Sequence, residues 1–225
     1  MEEVRIGIDL GGTTVKLGLF YGEQVEEKWE IPTRQEENGA YILEDIVDSI
    51  EKKLKEKGIE KKEVIGAGIG VPGPVDGKGI VHGCVNLGWG VFSVEEKLGT
   101  LLGLPVKAGN DANVAALGEL WQGGGKGYQD MVMITLGTGV GGGIVVDGKI
   151  LTGAHGAGGE VGHIHMDDSL TEHCGCGNQG CLEQFASATG IVRICKEILS
   201  GSSEASILRD SEVTAKAVFD VVKEG

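Results

Sequence analysis

Val4-Arg-Ile-Gly-Ile-Asp9-Leu-Gly-Gly-Thr13-Thr14-Val-Lys16-Leu-Gly-Leu-Phe20 joins two apolar β-type runs through a glycine-threonine turn. The spacing predicts strands over Val4–Asp9 and Val15–Phe20, with a third near Trp29–Ile31, so the chain opens as a β-meander. Asp9 closes the first strand. The N–H groups and hydroxyls of the turn after it can face phosphate oxygens. This is not a Walker A loop, because both the spacing and the following helix are absent. Taken alone, the segment reads equally well as an ordinary hairpin in which Asp9 makes an Asx turn. It does not stand alone. The same strand, Gly/Thr turn and strand return over residues 131–146, around Leu136-Gly-Thr-Gly-Val-Gly-Gly-Gly143. Two such hairpins suggest a nucleotide phosphate chain clamped between them.

The second hairpin formally matches G-x-G-x-x-G, and Glu160 lies near the offset of a ribose-binding acid. A dinucleotide fingerprint needs a helix after its glycines, whereas Ile144-Val-Val146 continues as a strand into the turn signal Asp147-Gly148. Between the hairpins, Ile42, Ile46, Ile50 and Leu54 recur every four residues, predicting a helix over 38–57 that stops at Gly58. Val64–Val71 reads as a buried strand, and Ser93 with Glu96 as a capping box for a helix ending near Gly103. A strand over Val106–Ala108 and a helix from Asn110-Asp111 to Gln122 follow. Gly123-Gly-Gly-Lys-Gly127 is the natural lobe boundary, dividing the chain into 1–122 and 123–225. Helices are expected over Leu182–Leu199 and Ser211–Lys223.

Composition narrows the function. A formal charge of −14 over 225 residues opposes binding to nucleic acid or anionic membrane, and favours a small neutral substrate. The start, Met1-Glu2-Glu3, is acidic where a signal peptide is basic, so a cytoplasmic protein is expected. The 41 glycines gather after β-type runs, where they let backbone approach a ligand. Of five cysteines, Cys84 and Cys195 read as small buried hydrophobes, which fits a reducing compartment.

The other three follow a histidine: His163, Cys174-Gly-Cys176, then Cys181, with Glu183 two residues on. One imidazole and three sulfurs are the ligands of a closed tetrahedral zinc site with no position left for a catalytic water. Such a metal builds rather than reacts: it would hold His163 beside Glu183, the start of a polyhydroxyl pocket. A structural zinc knuckle without a ligand role is the competing reading. His165 is a rival, lower-ranked metal ligand. Asn110-Asp111-Ala-Asn113 is either a helix N-cap alone or a cap carrying an acid placed to accept a proton from a bound hydroxyl.

Together, Asp9-x-Gly-Gly-Thr-x-x-Lys16, Asn110-Asp111, Leu136–Gly143, Glu160-Val-Gly-His163, Cys174–Glu183 and the Ala186–Gly190 run closely resemble the ROK family of bacterial sugar kinases and repressors. The glucokinases within it are most similar. The resemblance covers the whole chain and implies an α/β, two-lobed ribonuclease H-like fold of the actin/hexokinase type. It implies ATP-dependent phosphorylation of a hexose, most simply glucose to glucose 6-phosphate. A kinase for N-acetylmannosamine or fructose, or a non-catalytic sugar-sensing regulator, is the alternative. It carries Asp111 over as general base, and Asn110, Asp111, Glu160, His163 and Glu183 as hexose contacts. Asp9, Gly11, Gly12, Thr13, Lys16, Gly137, Thr138 and Gly139 become neighbours of the magnesium nucleotide. His163, Cys174, Cys176 and Cys181 become ligands of structural Zn²⁺. Dimers are common in the resembled family. Its members continue past position 225, implying a second lobe truncated here and nucleotide affinity reduced in this chain. Its repressors carry a helix-turn-helix ahead of the first glycine motif, for which Asp9 leaves no room.

Overall fold

The computed structural model describes residues 3–154 and 156–224; Met1 and Glu2 of the acidic start lie outside them. The chain divides into two compact units, residues 1–131 with 144–158 and residues 132–143 with 159–225.

The first unit is built on a five-stranded sheet, β1 (Val4–Leu10), β2 (Thr14–Tyr21), β3 (Gln24–Pro32), β4 (Val64–Val71) and β7 (Val106–Asn110), in the order β3-β2-β1-β4-β7. The meander β1–β2–β3 is antiparallel, whereas β4 and β7 join parallel to β1. Parallel neighbours need crossover connections. Helix α1 (Ile42–Lys57) supplies the first and α2 (Val94–Leu102) the second. Alternation in β1 buries Val4, Ile6, Ile8 and Leu10, and α1 adds Ile42, Ile46, Ile50 and Leu54 to the same core. Each such side chain contributes roughly 1.5–3 kcal/mol on burial. Ser93 caps α2 as its sequence indicates, its Oγ accepting from the Glu96 N–H at 3.1 Å, and Gly103 ends it at φ 63°. Helix α3 (Asp111–Gln122) follows β7 directly.

Three features depart from expectation. Helix α1 starts at Ile42 rather than Asn38, because Glu37, Asn38 and Gly39 have φ of 52°, 57° and 68°. That left-handed stretch delivers the Gly39 carbonyl to the buried Trp89 indole, which donates to it at 3.1 Å. The hairpin β5 (Ile80–Cys84) and β6 (Trp89–Ser93) carried no two-residue turn signal, since its strands are joined through a helical turn, Val85–Leu87, ended by Gly88 at φ 71°. The glycines 123–127 lie inside the first unit, where the Gly123 and Gly125 N–H groups both reach back to the Glu119 carbonyl at 3.0 Å and finish α3.

The hairpin of β8 (Met131–Leu136) and β9 (Val140–Val146) opens the second unit, and the last three residues of β9 belong to the first, where β10 (Lys149–Ile150) pairs with Val145 and Val146. The helix expected over 182–199 is broken at Ser187 into α4 (Glu183–Ala186) and α5 (Ala188–Gly201). Ser187 is extended, ψ 162°, and its fully buried Oγ caps α5 by accepting from Gly190 N–H at 3.0 Å. A short serine that bonds backbone in a non-helical conformation explains the break. Helix α6 (Ala215–Glu224) ends the described chain. The second unit buries few side chains, among them Val140, Cys174, Cys181 and Leu208, while Val132, Ile134 and Leu136 on β8 are exposed. Among the described residues no helix is long and apolar enough to cross a membrane.

The backbone at Gly39 yields a paired prediction. A Cβ there would lie 2.5 Å from the Leu87 carbonyl and 2.9 Å from the Trp89 indole nitrogen, whereas at Gly58, with the same φ of 68°, it would meet nothing within 4 Å. Left-handed backbone costs about 1–2 kcal/mol for alanine and overpacking a further ~1–3 kcal/mol. Denaturant unfolding should therefore show Gly39→Ala losing substantially more stability than Gly58→Ala. Equal losses would mean that the close packing of Gly39 contributes nothing.

Candidate functional site

In the first unit, strand pairing decides which residues meet. Asp9 pairs with Gly70 across β1–β4, and Val71 with Asn110 across β4–β7, so Asp9, Asn110 and Asp111 gather at the C-terminal edge of three parallel strands. Open α/β sheets bind ligands at this edge. Asn110 is buried and both ends of its side-chain amide are engaged: its Oδ1 caps α3 by accepting from the Asn113 N–H at 3.1 Å, and its Nδ2 donates to the Gly73 carbonyl at 3.2 Å, leaving a second N–H for a ligand. The cap reading of Asn110 is therefore correct as far as it goes. Asp111 is the first residue of α3, and its Oδ1 accepts from the Ala112 N–H at 2.8 Å. Partial burial, with a smaller push from the Asp9 charge, raises its carboxyl above the ordinary range against that bond. Solvent still reaches Asp111, an exposed residue, so its desolvation is incomplete. Nearby, the buried Asn113 Oδ1 has no partner among the described residues, a cost of about 1–3 kcal/mol at the start of the same helix.

The turn after Asp9 is tight, with the Gly11 N–H donating to the Thr14 carbonyl at 3.1 Å. Its carbonyls are tied to the segment after β3. The Thr33 hydroxyl donates to the Gly11 carbonyl at 2.7 Å, the Thr33 N–H to that of Thr13 at 2.9 Å, and the Gln35 side-chain amide to that of Gly12. Lys16 lies 3.9 Å from Asp9 in an exposed pair that contributes little to stability.

In the second unit, His163, Cys174, Cys176 and Cys181 bring one donor atom each to within 4.8 Å of one another. Cys174 Sγ lies 3.6 Å from His163 Nδ1, and the sulfurs of Cys176 and Cys181 are 3.7 Å apart. Four ligands around tetrahedral zinc at ~2.3 Å place sulfurs roughly 3.8 Å apart, so the cluster has the right dimensions. The knuckle is shaped by backbone: the Cys174 N–H donates to the Asn178 carbonyl at 2.7 Å, and Gly177 and Gly180 take φ of 91° and 68°. Burial pushes the Cys174 thiol up to about 12 and raises Cys181 as well, while hydrogen bonds from the Asn178 N–H and the neighbouring thiols hold Cys176 below its usual value despite burial. Three sulfurs this close cannot all ionise unless a cation shares their charge. His165 falls outside the cluster, its ring held by the Gln179 carbonyl at 3.0 Å and Asp168 at 2.8 Å.

With Nδ1 turned to the sulfurs, His163 directs Nε2 toward Glu160, 3.9 Å away. Glu183, at the start of α4, bridges two features the sequence presents separately. Its Oε2 accepts from the Val140 N–H of the second glycine turn at 2.9 Å, and its Oε1 lies 3.6 Å from Cys174 Sγ. Gly139 is what permits the first bond, since a Cβ there would fall 2.3 Å from Glu183 Oε2. The turn itself closes through the Gly137 N–H and the Gly139 carbonyl at 3.0 Å, with Thr138 at its tip. The start of α5 grips the turn: the Ala188 N–H donates to the Gly137 carbonyl at 2.8 Å and the Thr189 hydroxyl to that of Thr138 at 3.2 Å. Sequence reading passed over Thr33, Gln35 and Thr189; the serine at 187 was the available signal for a cap beside the turn.

Each unit thus collects its share of the expected residues. The first holds Asp9, the Gly11–Thr13 turn, Lys16, Asn110 and Asp111; the second holds the Gly137–Gly139 turn, Glu160, His163, the cysteines and Glu183. The chain is 44% identical over 220 residues to a glucokinase of Halalkalibacterium halodurans, covering 95% of this chain and 67% of that one. A xylose repressor of Caldicellulosiruptor bescii is 35% identical over 228 residues, with 98% of this chain and 56% of that one covered. The structure of a ROK family glucokinase from Streptomyces griseus in complex with glucose and AMPPNP superposes with a TM-score of 0.73 at 34% identity, covering 99% of this chain and 72% of that one. The chain therefore spans between about half and three quarters of the length of these relatives. Its fold is α/β, ribonuclease H-like, of the actin/hexokinase type. The model of the ROK family matches residues 5–225, and the chain belongs to that family.

Proposed function

We propose that this chain carries the catalytic residues of an ATP-dependent hexose kinase, converting glucose to glucose 6-phosphate. The observation that carries this reading is the shared sheet edge of the first unit, where Asp111 and the Asp9–Thr13 turn end parallel strands of one sheet. A proton acceptor and a phosphate-type turn on one edge are what transfer to a hydroxyl requires. The similarity to proteins named as glucokinases, one of them solved with glucose and AMPPNP, supports the same reading. In this account Asp111 takes the proton of the sugar's primary hydroxyl as that oxygen bonds to the γ-phosphorus and the bond to the bridging oxygen breaks, releasing ADP. Asn110, Glu160, His163 and Glu183 hold the sugar hydroxyls. The backbone N–H groups of both turns, with Asp9, Thr13, Lys16 and Thr138 nearby, serve the magnesium nucleotide.

His163 Nδ1 and the thiolates of Cys174, Cys176 and Cys181 would hold a structural Zn²⁺, which supplies charge compensation and a fixed knuckle and leaves no open coordination position. His163 Nε2 is then free to act on the Glu160 side, its tautomer set by the metal. A regulator that senses sugar without phosphorylating it is the second reading, favoured by the similarity to the xylose repressor. A coupled assay of ADP release with ATP across glucose, N-acetylmannosamine and fructose separates the two. Turnover, fastest on glucose, is expected; sugar binding without turnover on any hexose would favour the regulator.

Metal analysis of the purified protein should find one zinc per chain, and Cys176→Ser should lower both metal content and sugar affinity. Normal zinc loading in a variant with serine at 174, 176 and 181 would end this assignment.

Asp111→Asn keeps the oxygen that accepts from Ala112 but cannot take a proton, so kcat should fall by about 10²- to 10⁴-fold while hexose affinity stays near wild type. The base works ionised, and its carboxyl titrates above the usual value near 4. The acid limb of kcat/KM should therefore lie above that value, with activity lost as pH falls through the raised pKa. A limb at or below it, or a variant retaining most of its kcat, would leave Asp111 only the first residue of its helix.

A further inference from the structure

The carbonyls of both glycine turns are tethered, and the tethers decide where the amides point. In the first turn the Thr33 hydroxyl holds the Gly11 carbonyl and Gln35 that of Gly12. In the second, Ala188 N–H holds the Gly137 carbonyl and the Thr189 hydroxyl that of Thr138, with the Ser187 hydroxyl 2.9 Å from Thr189 Oγ1. Every described peptide is trans. In a planar trans peptide the C=O of one residue and the N–H of the next point in opposite directions. Fastening the Gly11 and Gly12 carbonyls to residues 33–35 therefore turns the Gly12 and Thr13 N–H groups away from that segment. Fastening the Gly137 and Thr138 carbonyls to the start of α5 does the same for the N–H groups of Thr138 and Gly139. The flanking amides are already used, Gly11 by Thr14, Gly137 by Gly139 and Val140 by Glu183. Among the described residues the amides of Gly12, Thr13, Thr138 and Gly139 have no hydrogen-bond partner.

We propose that Thr33 and Thr189 are positioning residues for the phosphoryl donor: their hydroxyls fix the turn carbonyls so that two adjacent amides in each turn face triphosphate oxygens. Backbone N–H groups make charge-assisted bonds to such oxygens, and amides aligned in advance need no reordering when the donor binds. This deepens the kinase reading and rests on it. The two tethers are unequal. The Thr33 bond is short and half-buried, whereas Thr189 is exposed and water can take over its longer bond.

The test compares Thr33→Val and Thr189→Val, which keep the branched shape without the hydroxyl, with Thr33→Ser and Thr189→Ser, which keep the hydroxyl. Steady-state kinetics are run against MgATP and against hexose, and MgADP is titrated into each protein. Thr33→Val should raise the KM for MgATP and weaken MgADP binding about three- to tenfold, Thr189→Val by about twofold, with hexose KM, zinc content and Tm near wild type. The serine variants should restore nucleotide affinity. Unchanged nucleotide KM and MgADP affinity in Thr33→Val would overturn the proposal, as would parallel rises in both KM values or failure of serine to restore affinity. If the wild-type protein turns over no hexose, the kinase reading fails and the MgADP titration alone decides the tethers: loss in Thr33→Val supports them, and equal affinity overturns them.

Discussion

Parallel pairing of β1, β4 and β7 is the constraint on which the first unit depends. It places the ends of three strands on one edge, and the chain leaves each end differently: a glycine turn after Asp9, a glycine- and proline-containing loop after Val71, and a helix capped by Asn110. The core that fixes this edge is mostly aliphatic, built on Ile6, Ile8, Leu10, Ile69 and Val71. Asp111 shows the consequence. Its carboxyl is raised by partial burial and by the charge of Asp9 across the edge, although solvent still reaches it.

The second unit solves the same problem with less hydrophobic material. Few of its side chains are buried, and its shape around Glu160, His163 and Glu183 comes from hydrogen bonds and from the sulfur–imidazole cluster. Glu183 is the joint. One oxygen accepts from the Val140 amide and the other lies beside Cys174, so the knuckle and the glycine turn are positioned by the same carboxylate. Gly139 is needed at that joint because any side chain would occupy the space of the carboxylate.

Much of this was legible in the sequence because local chemistry and final structure agree. The period of α1, the Ser93 cap and the repeated strand–turn–strand are local signals that the structure follows, and the spacing of His163 with the cysteines brings their donor atoms together. What escaped depends on partners distant in sequence. Asn38 sits in a helix-compatible run, yet its left-handed conformation serves Trp89, fifty-one positions away. Ser187 interrupts an amphipathic pattern that by itself continues. Thr33 and Thr189 look like any surface threonine until the turns they hold are placed beside them.

The two turns differ in sequence but end in the same state, carbonyls held and two amides left open, which fits a nucleotide better than a sugar. The acid at Asp111 and the carboxylates around His163 fit hydroxyls. In the proposed reaction the two meet in transfer of a terminal phosphoryl group to a hexose primary hydroxyl. The direct measurement is NMR of the product formed from ATP and the hexose that turns over fastest. It should show phosphorus coupled to the C6 methylene protons; phosphate at the anomeric carbon, or no phosphorylated sugar, would contradict the account.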